Sequence, residues 1–268
     1  MYKQTVKSHT KSILVESSES TMKTKGGLLF TFVLLLTFFL PSEVSHAVIK
    51  ERHEYERTGN VFWEAQTDEM LVALTFDDGP HPANTPELLD LLKKHNVHAT
   101  FFVVGKWVDA YPELAHRIVD EGHEIANHTY SHNYDEQISK DRLMDEIEKT
   151  NVLLESELGF RPTFFRPVGG YYTDEIIEAA IDLNQDVLLW SWHQDPRDWA
   201  GPRMESIAAH ILNGITPGDV ILLHDGGGDR EETLKAVDRI IPILKHRGYS
   251  FATASELLHS NTPSPASS

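Results

Sequence analysis

The chain is 268 residues long, contains no cysteine and has a formal net charge of −17 at pH 7. This length accommodates one large domain with a substantial hydrophobic core. The lack of cysteine excludes disulfides, thiolate metal sites and a cysteine nucleophile, and the acidic balance argues against nucleic acid or an anionic membrane surface as a partner.

An apolar run over residues 28–40 dominates the N-terminus. It is too short to span a bilayer comfortably, and the small residues Ser45 and Ala47 follow it at the positions that a signal peptidase reads. We therefore predict a secretory signal peptide over residues 1–47, cleaved after Ala47. An uncleaved membrane anchor is the alternative, and Met22 is an alternative start. Cleavage removes five lysines and three glutamates, which changes the net charge to −19.

After an N-terminal extension over residues 48–60, β-rich runs alternate with segments of helical spacing. Thr85 is a predicted helix N-cap that precedes a first-turn proline, Ser139 is another predicted N-cap, and Pro242 is expected to kink the last long helix. The predicted strands are residues 71–76, 99–104, 124–127, 163–167, 187–192, 220–224 and 250–253.

This alternation implies parallel strands that are covered by helices. Seven strands favour a single α/β domain over residues 61–258, folded as a distorted or incomplete (β/α) barrel. The Ser/Pro-rich tail over residues 259–268 is predicted to be disordered.

Ionisable residues stand at the ends of the predicted strands. In parallel α/β barrels such strand ends meet at one face, where active sites form. The sequence therefore predicts one site that collects side chains from several strands. In chain order these are Asp77, Asp78, His128, His132, Arg166, Asp195, Asp198, His224 and Asp225.

His128 and His132 are spaced i, i+4, so a helical turn would let their imidazoles share a metal. Alone this spacing is weak evidence, because about one such pair is expected by chance in a chain with 15 histidines. A carboxylate from the Asp77-Asp78 pair at the same face strengthens the prediction, since one carboxylate can bind the metal while the other stays free as a base. A solvated acidic turn before Gly79 is the alternative.

His224 ends an otherwise apolar strand and shares one strand face with Leu222. A core histidine that is satisfied by backbone groups is the ordinary interpretation of this pattern. Its expected position at the same face as the metal site favours a general acid instead.

Five sequence motifs follow one another in a fixed order: TFDDGP (75–80), HTxxH (128–132), RPxxG (166–170), DxxDW (195–199) and LLH (222–224). In this order they resemble the polysaccharide deacetylases of carbohydrate esterase family four, the NodB-homology domain. The resemblance covers about residues 61–258. It implies a metal-dependent hydrolase that removes N-acetyl groups from an amino-sugar polymer and releases acetate.

The resemblance also implies a role for each motif residue. Asp77 is similar to the catalytic base of the family, and Asp78, His128 and His132 are similar to its metal ligands. For an Asp/His/His site zinc is the expected ion, with cobalt or another divalent metal as the alternative.

The other motifs imply the acid and the substrate contacts. Arg166 resembles the arginine that orients the base, Asp195 the aspartate that tunes the acid, and His224 the general acid. Leu222 and Trp199 are expected to line the acetyl pocket.

One motif departs from the family pattern. Where the family commonly has R-P-P-Y-G, this chain has glycine at position 169 and valine at 168. The backbone N–H of Gly169 then remains as an oxyanion donor, while the substrate contacts of the missing tyrosine are in doubt. Tyr171, Tyr172 and Trp199 are candidates for stacking on sugar rings.

Several alternatives stay open on the sequence. Two histidines and a carboxylate are also the ligands of non-haem iron oxygenases, although the spare Asp77 and His224 favour hydrolysis. An O-acetyl xylan esterase or an inert cell-wall-binding protein can have the same fold. We expect a secreted or cell-wall monomer without a stable membrane span or a nucleic-acid partner. Its expected substrate is a polysaccharide, with peptidoglycan preferred over chitin oligomers and acetylated xylan.

Overall fold

The computed structural model describes residues 50–135 and 137–260. The predicted signal peptide and residues 261–268 of the predicted disordered tail lie outside these residues. Within the described part of the chain, no helix has the length and apolar character needed to cross a membrane.

One parallel sheet of eight strands forms the centre of the described structure, in the order β1-β6-β5-β4-β3-β2-β7 with β8 paired to β2. The strands are β1 (Val61–Phe62), β2 (Leu71–Asp77), β3 (Thr100–Val103), β4 (Glu124–Asn127), β5 (Phe164–Phe165), β6 (Asp186–Leu188), β7 (Val220–His224) and β8 (Ser250–Ala252).

The sheet curls until its two ends meet. Beyond β6, Ser191 donates its backbone N–H to the carbonyl of Val220 in β7 at 3.0 Å. Beyond β1, Ala65 donates to the carbonyl of Gly218 at 2.9 Å, just before β7. These bonds join the ends without a regular strand ladder. The predicted incomplete α/β barrel is confirmed.

The seven predicted strands are all present, but four are shorter than predicted, and the largest losses are in β5 and β6. β5 ends at Phe165 and β6 at Leu188, because the residues that follow turn away into loops above the barrel. The additional strand β1 is only two residues long, too short to show the alternation that identifies a strand in sequence.

Helices surround the sheet. They are α1 (Arg52–Glu56), α2 (Asn84–His95), α3 (Gly105–Ala110), α4 (Pro112–Asp120), α5 (Lys140–Leu158), α6 (Asp174–Asp182), α7 (Met204–Gly214), α8 (Glu231–His246) and α9 (Ala254–His259). The N-cap prediction for Thr85 is wrong, because α2 begins at Asn84 and the Thr85 hydroxyl accepts the His81 N–H and donates to Asp225 instead. Ser139 occupies the N-cap position of α5 without a side-chain cap, and Pro242 lies inside α8.

Alternation along β2 separates the core from the site. Val72, Leu74 and Phe76 belong to the main cluster of buried residues between the sheet and helices such as α2 and α8. The intervening residues of β2, which include Thr75 and Asp77, therefore face the inside of the barrel. Strand geometry alone directs the last side chain of β2 toward the barrel mouth.

Candidate active site

The Asp77-Asp78 pair reaches the barrel mouth by two different routes. Asp77 is the last residue of β2 and points inward by strand alternation. Asp78 would then point outward, but its φ of 75° breaks the alternation. This left-handed conformation is uncommon for a residue with a side chain. It allows both carboxylates to line the same cleft.

Asp78, His128 and His132 form a cluster suited to a metal ion, since their donor atoms all lie within 4.8 Å of one another. The Nε2 atoms of His132 and His128 are 2.8 Å and 3.5 Å from Oδ1 of Asp78. The two histidines do not share a helical turn as predicted, because positive φ angles at Thr129 (67°) and His132 (56°) bend the segment between them. The rings converge through this irregular loop.

The orientation of His128 is fixed by its second ring nitrogen. Nδ1 lies 2.7 Å from the backbone carbonyl of Arg166, so Nδ1 carries the proton and donates it to that oxygen. Nε2 is then the ring nitrogen that faces Asp78, and loss of its proton gives the neutral tautomer that a metal requires.

The charge state of Asp78 also suits a metal ligand. Burial alone would raise the pKa of this carboxyl, but hydrogen bonds with His128 and His132 hold the pKa well below its usual range. Asp78 is therefore ionised at neutral pH and offers a full negative charge to a cation.

Arg166 is fully buried and holds Asp77 in place. Its Nη1 donates to Oδ1 of Asp77 at 2.7 Å and to the Thr75 hydroxyl at 2.9 Å. Its Nε and Nη2 donate to the carbonyls of Leu188 and Leu189 at 2.9 Å and 2.7 Å. Because the guanidinium takes Oδ1, Oδ2 of Asp77 is the oxygen that faces the histidines, 3.8 Å from Nε2 of His128.

His224 is the register partner of Asp77 on the neighbouring strand β7. The resemblance implies that Asp195 tunes His224, whereas in the structure Nδ1 of His224 lies 2.7 Å from Oδ1 of Asp198. The other carboxylate oxygen of Asp198 accepts hydrogen bonds from the backbone N–H of His224 at 3.0 Å and from the Thr233 hydroxyl at 2.9 Å. Burial lowers the pKa of His224, but the bond to Asp198 outweighs it, with help from the charges of Asp77 and Asp78, and raises the pKa to about 9.

The position of Asp198 beside His224 has a local cause in the loop after β6. Trp192–Gln194 form a 3₁₀ turn, and Arg197 has a left-handed φ of 54°. The reversal turns Asp198 inward, where it is 3% exposed. Asp195 remains partly exposed at the cleft and accepts the backbone N–H of Arg197 at 3.0 Å. Burial raises the pKa of Asp195.

These side chains surround a cleft of about 410 Å³. Predicted substrate contacts Gly169, Trp199 and Leu222 line it. Trp199 is 53% exposed, whereas Leu222 is buried. The full lining is Asp77, Asp78, His128, His132, Tyr134, Val168, Gly169, Trp190, Asp195, Trp199, Leu222 and His224.

Two tyrosines that the sequence offers as sugar platforms pack against other aromatic rings. Tyr171 packs against Tyr134, with ring centroids 5.2 Å apart, and is not among the residues that line the cleft. Tyr172 packs edge-on against Trp63 and Tyr55. Tyr134 lines the cleft in their place. The sequence feature that could have suggested Tyr134 as a site residue is its position two residues after His132.

Comparison with known proteins identifies the family. A model of the polysaccharide deacetylase family matches residues 64–188. A peptidoglycan-N-acetylglucosamine deacetylase of Bacillus cereus is 46% identical over 207 residues, which are 77% of this chain and 97% of that protein. The chain belongs to the polysaccharide deacetylase family. The resemblance seen in its five motifs is thereby confirmed, and the chain is a hydrolase of this family.

Other polysaccharide deacetylases extend the comparison. A chitooligosaccharide deacetylase of Bradyrhizobium sp. is 37% identical over 190 residues, which are 66% of this chain and 86% of that protein. A crystal structure of a peptidoglycan N-acetylglucosamine deacetylase superposes with a TM-score of 0.74 at 35% identity, covering 77% of this chain and 96% of that one. Membership of this family sets aside the iron-oxygenase alternative.

Proposed function

We propose that this polysaccharide deacetylase hydrolyses the N-acetyl groups of N-acetylglucosamine residues in peptidoglycan and requires a divalent metal. The observation that carries the proposal is the meeting, in one cleft, of a three-donor cluster with a separate carboxylate and a separate histidine. The products are acetate and a free amine on the sugar. The related peptidoglycan and chitooligosaccharide deacetylases support an amino-sugar polymer as the substrate class.

The donor set of Asp78, His128 and His132 fits a zinc ion. Ligand atoms around one tetrahedral zinc lie roughly 3.3 Å apart, and the two measured separations from Asp78, 2.8 Å and 3.5 Å, bracket that value. A bound divalent ion polarises an amide carbonyl and lowers the pKa of coordinated water to about 7. We propose zinc as the metal, with cobalt as the functional substitute.

Asp77 is the proposed general base. Its Oδ1 is held by the Arg166 guanidinium, so Oδ2 is available to accept the proton of the attacking water. The Gly169 backbone borders the same cleft. Its N–H is the proposed donor to the oxyanion that develops on the acetyl group.

His224 is the proposed general acid. A sugar amine leaves only after it gains a proton, and an imidazole with a pKa of about 9 carries one at neutral pH. Nδ1 is engaged with Asp198, so the proton for the leaving nitrogen comes from Nε2. Leu222, two residues earlier on the same strand face, is proposed to contact the acetyl methyl group.

We further propose that residues 1–47 direct export and are removed. The described domain would then act as a monomer in the cell wall, where peptidoglycan is the available amino-sugar polymer. Mass spectrometry of the mature protein from the culture medium tests this, with an N-terminus at residue 48 as the expected result.

Acetate release by the zinc-loaded mature chain tests the enzymatic proposal. The panel consists of purified peptidoglycan, N-acetylglucosamine tetramer and acetylated xylan. We expect release from peptidoglycan and the tetramer, loss on chelation, and recovery with zinc or cobalt. Release from xylan alone would make the protein an esterase. Release from none of the three would support the inert wall-binding alternative.

A further inference from the structure

Tyr134 occupies the space that a side chain at position 169 would need. Gly169 has a left-handed φ of 69°, and a Cβ built on it would lie 2.5 Å from Cε2 of Tyr134 and 3.1 Å from Cε2 of Tyr171. The tyrosine that is common in the family at this point of the motif is incompatible with Tyr134 where it stands. The loss of one aromatic side chain and the position of another are therefore linked.

The ring of Tyr134 is anchored although it is 67% exposed. Its hydroxyl is hydrogen-bonded to the hydroxyl of Tyr171, and the two rings meet edge to face at 67°. Tyr171 in turn packs against a buried cluster beneath it that includes Phe165 and Ile176. An exposed aromatic ring that is already held in place loses little conformational freedom when a ligand packs on it.

The cleft has a second exposed aromatic residue in its lining. Trp199 follows Asp198, the partner of His224, and is 53% exposed. Tyr134 follows the His132 of the metal cluster. Both aromatic side chains therefore line the same cleft as the proposed reacting groups.

We propose that Tyr134 replaces the missing wall residue and stacks on a sugar ring adjacent to the one that is deacetylated. This inference rests on the proposed function, because it assigns Tyr134 to the binding of an amino-sugar chain. Aromatic rings present an apolar face to the C–H face of a pyranose while the sugar hydroxyls stay in water. Tyr134 is therefore a specificity residue for chain length, and it takes no part in the chemical step.

Steady-state kinetics of Tyr134→Ala and Tyr134→Phe test the assignment. The substrates are N-acetylglucosamine tetramer and the small ester p-nitrophenyl acetate. Tyr134→Ala should raise KM for the tetramer about tenfold, which corresponds to ~1.4 kcal/mol of lost binding, with kcat within about threefold. Tyr134→Phe should recover most of the tetramer binding, because the ring face remains. Trp107→Ala is the matched control, since this tryptophan is also exposed but does not line the cleft.

Two outcomes would overturn the inference. One is an unchanged KM for the tetramer in Tyr134→Ala, and the other is an equal loss of kcat/KM on tetramer and ester, which would mean that Tyr134 shapes the catalytic centre. Calorimetric binding of the tetramer to wild type and Tyr134→Ala separates this inference from the proposed function. If the wild type releases no acetate yet binds the tetramer more tightly than the variant, the proposed function fails and the role of Tyr134 stands.

A double-mutant cycle tests the link between the two positions. Gly169→Ala introduces a Cβ that collides with Tyr134, so its cost to tetramer kcat/KM should be smaller in the Tyr134→Ala background. Additive effects of the two substitutions would show that Tyr134 does not occupy the side-chain space at position 169, and would remove the structural basis of the inference.

Discussion

The site residues are positioned in two different ways. Asp77 and His224 are the terminal residues of β2 and β7 and follow the inward alternation of those strands. Asp78, His132 and Gly169 depend on left-handed φ angles of 75°, 56° and 69°. The residues positioned by strands supply the proposed acid and base. The residues with left-handed backbone conformations complete the metal cluster and supply the proposed oxyanion donor. The proposed proton transfer thus depends on the regular sheet, and the proposed metal and oxyanion sites depend on turns with left-handed residues.

Among the proposed site residues, loss of His132, a proposed metal ligand with a left-handed backbone conformation, should have the largest effect on zinc binding and activity. His132→Ala removes one of three donors, so we expect no detectable deacetylation and at least about 100-fold weaker zinc binding. Zinc titration and acetate release measure the two quantities. His116→Ala, an exposed histidine on α4 that is paired with Glu157, serves as the control. Full zinc occupancy with normal activity in His132→Ala would remove this residue from the ligand set.

Loss of the strand-positioned base should leave the metal in place. Asp77→Asn cannot accept the proton of the water, and bases of this kind contribute ~10²–10⁴-fold to the rate. We expect kcat to fall by that factor with metal content unchanged. The substitution also leaves the buried Arg166 charge unpaired, which costs about 3–5 kcal/mol. Assays should therefore run well below the measured Tm, with the exposed Asp120→Asn as a control. Near-normal kcat would exclude Asp77 as the base.

His224→Ala should separate amides from activated esters. A sugar amine needs a proton to leave, whereas a nitrophenolate does not. We expect most deacetylation of N-acetylglucosamine oligomers to be lost while much of any activity on p-nitrophenyl acetate remains. Metal content must be measured in the same samples, because a collapsed site depresses both reactions. Equal losses with metal retained would assign His224 to acetyl positioning or to the oxyanion.

Substitution of the partner of His224 should have a smaller effect, visible in the pH profile. The acid works in its protonated form, which is present below its pKa, and Asp198 is the residue that raises that pKa to about 9. Asp198→Asn should therefore move the alkaline limb of kcat/KM to lower pH. Asp195→Asn should move it less, because Asp195 makes no hydrogen bond to His224 in the described structure. The reverse ranking of the two variants would reinstate Asp195 as the tuning residue.

The same contrast explains which features the sequence predicts. Asp77 and His224 are found because strand alternation has a period of two and ends at a recognisable turn. The hydrogen bond between Asp198 and His224 is not predicted, because the sequence does not reveal the left-handed backbone at Arg197 that turns Asp198 inward. Tyr134 escapes notice for a related reason: it lies in an irregular loop whose path is set by Thr129 and His132. Strand β1 is missed because it is only two residues long.

The position of Arg166 has a consequence for any attempt to move this site to another protein. Its side chain donates four hydrogen bonds, two to residues of β2 and two to carbonyls at the end of β6 and just beyond it. Its backbone carbonyl accepts a hydrogen bond from the ring of His128, which follows β4. Lysine has three donors on a point charge and cannot reproduce this planar arrangement. A displacement of Asp77, the proposed base, would therefore be transmitted to His128, a proposed metal ligand, through one buried residue. The proposed base and metal cluster are thus held by the same residue, and a graft that carries their side chains without this arginine and its strands would lose their mutual alignment.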